Sequence, residues 1–331
     1  MMTDSILQGL SKTPSKTDFF IWCDYIELYC LSHMDKAVSV DNLLETRQEM
    51  ADTQQDALVI EREDYADGED AGDEPLAKAE DRQSRAMADR FRYLAFRQRV
   101  FGEDLYPFVV EGRYIYLKED LSEWHFLYLQ LLISSSLSYC PKKRWSQITE
   151  SFEDISYNVF RSIMPDGWEV YKFGKQQVTR YQGHIYDKLL KLAEDVRGRL
   201  DVERDDFHVS DSGDSGLDLV AWHPMEDQRP AIPIAFAQCG CSTRDFEFKM
   251  LEASPSKLGA HLKVVHEWAN YYFMPQAMCK QGNGWERYSD FGRSIVVDRV
   301  RVMKLLRRYN VDIDDVLETE LVEEARSLAY S

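Results

Sequence analysis

The sequence has no long apolar run and no export signal at its start. No apolar stretch among its 331 residues approaches the roughly 20 residues that a membrane-spanning helix needs. The opening residues, Met-Met-Thr-Asp-Ser, lack the basic segment followed by an apolar segment that an export signal requires. We therefore expect a cytoplasmic protein that does not associate with membranes.

Cysteine and histidine are sparse, and their spacing does not suit a zinc site. The sequence has six cysteines, and the closest pair, Cys239 and Cys241, lacks the two-residue spacing of a zinc knuckle. Among the histidines, only His261 and His266 are close, and a separation of five places them off a shared helix face. We expect packed, reduced thiols rather than metal ligands.

Basic residues do not balance the acids. The chain has 58 acidic and 40 basic residues, which gives a formal net charge of −18. An acidic protein is repelled by nucleic-acid phosphate, so any nucleic-acid function needs a local basic groove or a basic partner subunit. Candidates for such a groove flank the predicted core elements: Lys142, Lys143, Arg144, Lys172, Lys175, Arg180 and Lys249.

Residues 1–137 are predicted to form a mainly helical domain with one small hairpin. Residues 17–33 have the apolar spacing of a helix, and 105–110 and 114–117 have the pattern of two strands joined by a glycine-containing turn. An acid-rich stretch over about 61–82 is typical of a solvated loop, with docking on a basic partner as the alternative. No internal repeat is visible.

Residues 141–331 are predicted to form an α/β domain with a mixed sheet. From Ser151 onward the apolar patterns indicate helix, strand, inserted helix, strand, strand, helix and strand. The inserted helix is expected over 185–200, and a further helix around 262–268. Near the end of the chain, Asp298 is expected to cap a helix.

Two consecutive strands of this domain carry residues that suit a divalent metal. Asp218 enters one strand and Gln238 ends the next, and Gly216 and Gly240 beside them allow backbone or ligand to come close. Carboxylate and amide oxygens are hard ligands suited to Mg²⁺ or Mn²⁺. The alternatives are structural: a tight turn at the glycines, and a strand-end glutamine bonded to backbone.

These motifs resemble the PD-(D/E)XK nuclease superfamily, and its Mrr-like restriction-endonuclease branch most closely. The resemblance covers roughly residues 149–275 and rests on three motifs. That branch typically has Phe-Glu in its first helix, Gly-Asp-x-Gly-x-Asp on its second strand and Gln-x-Lys on its third. The matching positions are Phe152-Glu153, the block from Gly213 to Ala221, and Gln238. The resemblance implies a restriction-endonuclease-like mixed sheet flanked by helices, after a mainly helical N-terminal domain.

By position, the resemblance implies roles for four acids and amides and a departure at the lysine. Asp218 is the principal metal ligand, Gln238 the second ligand, and Glu153 a helix acid that contacts the metal through water, with a solvent-facing acid as its alternative. Asp214 is an auxiliary acid or a turn-former. The lysine expected two positions after Gln238 is Gly240, so Lys249 is the candidate for the amine, with Lys257 a poorer one.

The function implied by the resemblance is a metal-dependent DNA endonuclease that hydrolyses phosphodiesters with Mg²⁺ or Mn²⁺. Its context would be an effector subunit of a bacterial restriction or anti-phage defence system, with a partner subunit bound through the helical N-terminal domain or the acidic surface. A homo-oligomer is also compatible with the sequence. The alternative is a catalytically degenerate nuclease fold that serves as a binding or scaffold subunit, which Gly240 and the negative charge favour. A third possibility is an unrelated α/β protein with an accidental match.

Overall fold

The chain forms two compact units, Met1–Arg144 with Leu317–Ser331, and Trp145–Val316. The computed structural model describes residues 6–10, 12–45, 76–173, 180–208, 216–244, 246–282 and 284–328. Helices and strands are numbered along the chain. The second unit begins close to the predicted residue 141, but it ends before the last helix, which groups with the first unit.

The first unit is mainly helical and contains one small sheet. Its elements are α1 (Phe19–Ser32), β1 (Ala37–Ser39), α2 (Leu76–Phe101), β2 (Phe108–Glu111), β3 (Tyr114–Leu117) and α3 (Glu123–Ser134). The predicted hairpin is present as β2 and β3, and Gly112 adopts the positive φ of +60° that its turn requires. Strand β1 pairs antiparallel with β3 and extends the hairpin to three strands. It was missed because three residues are too few to show alternation.

The acid-rich stretch falls only partly within the described residues. Helix α2 begins at Leu76, so the predicted loop is wrong over residues 76–82. Alanine, leucine and the charged residues in this part favour helix, and the repeating apolar positions continue into Met87 and Phe91, which are buried. Residues 61–75 lie outside the described part of the chain.

A fully buried arginine joins the helices of the first unit. The Arg97 Nη1 atom donates to Asp24 Oδ1 at 2.7 Å and to Glu27 Oε1 at 2.9 Å. The hydroxyl groups of Tyr106 and Tyr128 each donate to Glu27 at 2.8 Å. All five side chains are buried, so the charges are stabilised by one another and by hydrogen bonds, which include one from the Ser135 hydroxyl to Asp24 Oδ2 at 2.7 Å.

The second unit is a five-stranded mixed sheet with helices on its two faces. Its elements are α4 (Trp145–Ile163), β4 (Glu169–Lys172), α5 (Ile185–Asp195), β5 (Arg199–Leu200), β6 (Leu219–Trp222), β7 (Ile234–Cys239), α6 (Phe246–Lys249), β8 (Leu262–Lys263), β9 (Ala269–Phe273), β10 (Cys279–Lys280), β11 (Gly284–Trp285), β12 (Ile295–Val297) and α7 (Arg299–Arg308). The strand order is β12-β9-β7-β6-β4. Strands β4, β6 and β7 are antiparallel, and β7, β9 and β12 are parallel. The predicted α/β class with a mixed sheet is confirmed.

The two faces of this sheet are covered by different helices. On one face, Phe236 of β7 packs in a buried cluster with Leu189 and Leu192 of α5. On the other face, Phe160 of α4 contacts Tyr271 and Phe273 at ring-centroid distances of 5.5 and 6.0 Å. Because side chains alternate along a strand, even-numbered residues of β7 face α5 and odd-numbered ones face α4.

Two predicted helices of the second unit differ from the structure. Helix α5 ends at Asp195, and the predicted extension to 200 is instead strand β5, which pairs with β8. The predicted helix around 262–268 is absent from these described residues, which contain β8 and an exposed Val265. A spacing of three between apolar residues fits both a helix and a short strand followed by a turn, so the pattern alone did not distinguish them. Asp298 caps α7 as predicted, accepting from the N–H of Arg301 at 3.1 Å.

The last helix, α8 (Thr319–Arg326), packs on α1 and α3 of the first unit. Its Leu321, Val322 and Ala325 are buried, and the N–H of Glu318 donates to Gln130 Oε1 at 2.9 Å. The prediction of a continuous domain over 141–331 therefore differs from the contacts of the C-terminal segment. Among the described residues, no helix combines the length and apolarity needed to span a membrane.

The Arg97 cluster gives a stability prediction. We expect Arg97→Met to lower the free energy of unfolding of the first unit by about 3–5 kcal/mol, because two buried carboxylates lose their cation. The measurement is hydrogen exchange of the amides of α1 and α2 along a urea titration. The matched control is Arg92→Met, whose exposed pair with Asp89 should contribute no more than about 1 kcal/mol. Equal effects of the two substitutions would contradict the assignment.

Candidate functional site

The antiparallel pairing of β6 and β7 brings Asp218 and Gln238 to the same end of the two strands. Leu219 pairs with Ala237, Asp218 lies just before this pair and Gln238 just after it, and the N–H of Asp218 donates to the carbonyl of Ala237. Gln238 is an even-numbered residue of β7, so its side chain lies on the α5 side of the sheet. A metal site formed by Asp218 and Gln238 together stays a prediction.

Asp218 is held in place by backbone groups. Its side chain is buried, and its Oδ2 atom accepts the N–H of Cys239 at 2.7 Å. Its own N–H donates to the carbonyl of Ala237 at 3.0 Å, and its carbonyl accepts the N–H of Phe173 at 2.6 Å. The carboxylate is thus fixed at the end of the pairing between β6 and β7.

Gln238 is oriented by an acid that sequence reasoning did not identify. Its Nε2 atom donates to Glu252 Oε2 at 2.7 Å, which directs Oε1 away from Glu252. This Oε1 is buried and has no hydrogen-bond partner among the described residues. Glu252 is contacted in turn by Lys257, whose Nζ lies 3.5 Å from Oε1 of Glu252. A series of polar contacts therefore runs from Lys257 through Glu252 to the amide of Gln238. The Oε1 atom of this amide can still accept a hydrogen bond or bind a cation.

The two glycines of the motif make room for side chains of the protein itself. Gly216 has a φ of +73°, and a Cβ at this position would overlap Glu252. A Cβ at Gly240 would overlap the Tyr272 hydroxyl and lie 2.8 Å from its Cζ atom. Tyr272 therefore fills the space at the position where the family resemblance places a lysine, and a side chain at 240 is excluded without movement of that ring.

Tyr272 is the second unpredicted member of the site. It pairs in register with Gln238 across the parallel strands β7 and β9. Its hydroxyl is buried and has no hydrogen-bond partner in the described part of the chain. Burial raises the pKa of Tyr272 strongly, and the negative charges of Asp218 and Glu252 contribute in the same direction. The phenol is therefore neutral over the physiological pH range and retains its proton as a donor.

Glu153 lies on a different side of the sheet from Gln238. It belongs to α4, which covers the face toward which the odd-numbered residues of β7 point. Cys239, on that face, has its thiol pKa raised by burial first and then by the charges of Asp218 and Glu153. Glu153 is thus near the end of β7, but its side chain is not joined to Gln238 by any described hydrogen bond.

The two lysine candidates differ in their surroundings. Lys249 ends α6, is exposed, and forms no ion pair with a described side chain. Lys257 contacts the site through Glu252, although sequence reasoning ranked it second. Asp214 lies outside the described residues.

The donor set fits a hard cation only in part. In the part of the chain that the structure describes, no group of three or more His, Cys, Asp or Glu side chains is arranged to hold a metal. The site instead offers the Asp218 carboxylate, the partnerless Oε1 of Gln238 and the neighbouring Glu252. An amide oxygen beside carboxylates is a ligand type that Mg²⁺ and Mn²⁺ accept. The unpaired Oε1 of Gln238 is compatible with a cation here, although the buried amide oxygens of Asn270 and Gln276 also lack a partner among the described residues.

Comparison with protein-family models, curated proteins and solved structures finds no match to this chain.

The missed residues had little sequence signal. Glu252 lies fourteen residues after Gln238 in a segment without regular periodicity, so nothing in the spacing connects the two. Tyr272 stood in a predicted strand, but its partner depended on the parallel pairing of β9 with β7. A better signal for both was the pair of glycines, because a glycine inside a core element marks the close approach of another group.

The packing at Gly240 gives the second prediction. We expect Gly240→Ala to destabilise the second unit by about 1–3 kcal/mol, because the new methyl group must displace the Tyr272 ring. Tyr272→Ala in the same chain should remove most of the additional cost, which thermal unfolding of the four proteins in a double-mutant cycle would measure. The control is Gly259→Ala, where a Cβ would meet only Trp268 at 4.0 Å. Additive effects of the two substitutions would show that Tyr272 does not confine position 240.

Proposed function

We propose that this chain is a metal-dependent endonuclease that hydrolyses DNA phosphodiesters, with a restriction-endonuclease-like second unit. Three observations support the proposal: the order of helices and strands, the position of Asp218 and Gln238 at the same end of two paired strands, and the buried Oε1 of Gln238. The last of these carries it, because Glu252 orients the amide so that a hard acceptor faces away from the protein's own donors. The biological context that we propose is a bacterial restriction or anti-phage defence system, in which the helical unit binds a partner subunit.

In this proposal the chain's residues hold and orient the reacting groups. Asp218 and Gln238 would hold Mg²⁺ or Mn²⁺, which when bound polarises a phosphate oxygen and lowers the pKa of a water. The N–H of Cys239 fixes the Asp218 carboxylate, and Glu252 acts as a positioning residue for Gln238. The neutral Tyr272 hydroxyl provides a donor that can stabilise negative charge on a phosphate oxygen.

A second candidate function is a binding or scaffold subunit with a degenerate nuclease fold. The specific observation that favours it is Tyr272, which occupies the space beside Gly240 and excludes an amine from that position. Lys249, the substitute proposed from the sequence, is exposed and forms no described ion pair. This candidate predicts no metal-dependent cleavage, so one set of assays separates the two.

The proposed metal ligands give the third prediction. Purified protein with Mg²⁺ or Mn²⁺ should nick supercoiled plasmid, and Asp218→Asn should reduce the rate at least about 100-fold, because the principal ligand is lost. Titration calorimetry with Mn²⁺ should show weaker binding by the same variant, independently of cleavage. Asp166→Asn, an exposed acid of the same unit, is the matched control and should behave like the wild type. Absence of cleavage and of Mn²⁺ binding in the wild type would exclude the enzyme and favour the scaffold.

The lysines and Glu252 give the fourth prediction. We expect Glu252→Gln to weaken Mn²⁺ binding by about 10- to 100-fold, as for other groups that orient metal ligands. Lys257→Ala should lower the cleavage rate more than Lys249→Ala, because Lys257 contacts Glu252 and Lys249 does not. Cleavage rates at saturating Mn²⁺ measure this difference. A larger loss from Lys249→Ala would instead assign the amine to α6, as the sequence resemblance implies.

A further inference from the structure

Helix α7 concentrates positive charge in an acidic protein. Residues 293–308 contain six basic residues and one acidic residue, whereas the whole chain has a net charge of −18. The one acid, Asp298, is buried and caps the helix, so it does not neutralise the outer surface. Arg301, Lys304 and Arg308 are exposed and follow the i, i+3, i+7 spacing of one helix face. The residues of α7 that are buried include the apolar Val302, Met303 and Leu306 and also Arg299, whose Nε donates to the carbonyl of Pro275 at 2.7 Å.

These cations are available for an external anion. Among the described residues, neither Lys304 nor Arg308 forms an ion pair. Seven residues separate Arg301 from Arg308, which corresponds to about 10 Å along the helix axis. Phosphates of one strand of B-form DNA are about 3.4 Å apart along the axis, so this length matches about three of them.

An aromatic cavity of about 330 Å³ begins where this basic face ends. Its walls include Trp285, Tyr288 and Phe291, and Arg301 belongs to both the cavity and the basic face. The guanidinium of Arg301 lies 4.5 Å from the centre of the Trp285 ring, and Phe291 meets Trp285 edge-on at 5.0 Å. Tyr288 is 73% exposed at the rim, so its ring is accessible to a ligand that enters the cavity.

A row of cations that leads to exposed aromatic rings is the arrangement that binds single-stranded nucleic acid. The cations contact successive phosphates, and unpaired bases stack on the rings. A duplex keeps its bases stacked inside the helix and offers no base to such a cavity without flipping. An acidic peptide would also complement the charge of α7, but only its aromatic side chains could stack on the cavity walls, whereas every nucleotide of a strand carries a ring.

We infer that α7 and the cavity bind single-stranded DNA, with phosphates on Arg301, Lys304 and Arg308 and an unpaired base against Tyr288 and Trp285. This inference rests on the proposed function, because it places the strand that such an enzyme would act on. The site is separate from Asp218 and Gln238 in its residues, so binding is testable without metal and without cleavage.

The experiment is fluorescence anisotropy of the full chain with a labelled 20-nucleotide DNA strand in EDTA. We expect binding of the strand to be at least ten-fold tighter than binding of the corresponding duplex. Tyr288→Ala should weaken binding at least about five-fold, the lower end for loss of one base stack. Lys304→Gln and Arg308→Gln should each weaken binding and reduce the slope of log K against log salt by about 0.7. Near-UV circular dichroism of each variant checks that the fold is retained.

Two substitutions outside this surface serve as matched controls. Tyr114→Ala removes another exposed tyrosine, which belongs to the first unit, and Arg199→Gln removes an exposed cation from β5. Both should bind the strand like the wild type. Each of three results would overturn the inference. The first is wild-type binding by the Tyr288→Ala and Lys304→Gln variants. The second is a preference for duplex or for an RNA strand, and the third is binding of a labelled peptide of residues 61–75 in place of DNA. If the protein binds the strand as expected but does not cleave plasmid, the proposed nuclease activity is wrong, whereas the inferred binding surface is retained.

Discussion

The pairing of β6 with β7 is the constraint on which the candidate site depends. A shift of one residue in this register would move the side chains of the shifted strand to the opposite face of the sheet and change the relative position of Asp218 and Gln238. The apolar residues that follow Asp218 and precede Gln238 resist such a shift, because it would move Val220 and Phe236 out of the buried cluster under α5. The packing of the hydrophobic core therefore determines where the polar residues lie. The hydrogen bond from the N–H of Cys239 then orients the Asp218 carboxylate.

The sequence predicted the parts of this arrangement that are encoded locally. Apolar runs in β6 and β7 are buried on both faces, so their strand character and their polar ends were visible, as was the cap at Asp298. Two-residue strands such as β5 and β8 have no periodicity to detect, and the helix predicted around 262–268 was wrong for that reason. Glu252 and Tyr272 reach the site through tertiary contacts, and such contacts cannot be predicted from the spacing of residues in the sequence.

The two units use charge in different ways. In the first unit, Arg97 is fully buried and forms ion pairs with Asp24 and Glu27. It therefore stabilises the packing of the helices and is not accessible to a ligand. In the second unit, Arg301, Lys304 and Arg308 of α7 are exposed, whereas Arg299 of the same helix is buried. A patch of exposed cations attracts anions locally even when the whole chain is acidic. The total charge of −18 therefore does not exclude DNA, but it confines any contact to surfaces of this kind.

The absent motif lysine changes what the site must accomplish by other means. A lysine cannot replace Gly240 while Tyr272 keeps its position, because even a Cβ overlaps the phenol. The phenol can donate a hydrogen bond to a phosphate oxygen, but burial raises its pKa, so it brings no positive charge to the reaction. In the proposed nuclease, the compensating charge would come from a metal held by Asp218 and Gln238, or from Lys257 beyond Glu252. Because Glu252 partly neutralises Lys257, the proposal assigns the larger share to the metal, whereas the scaffold candidate requires none.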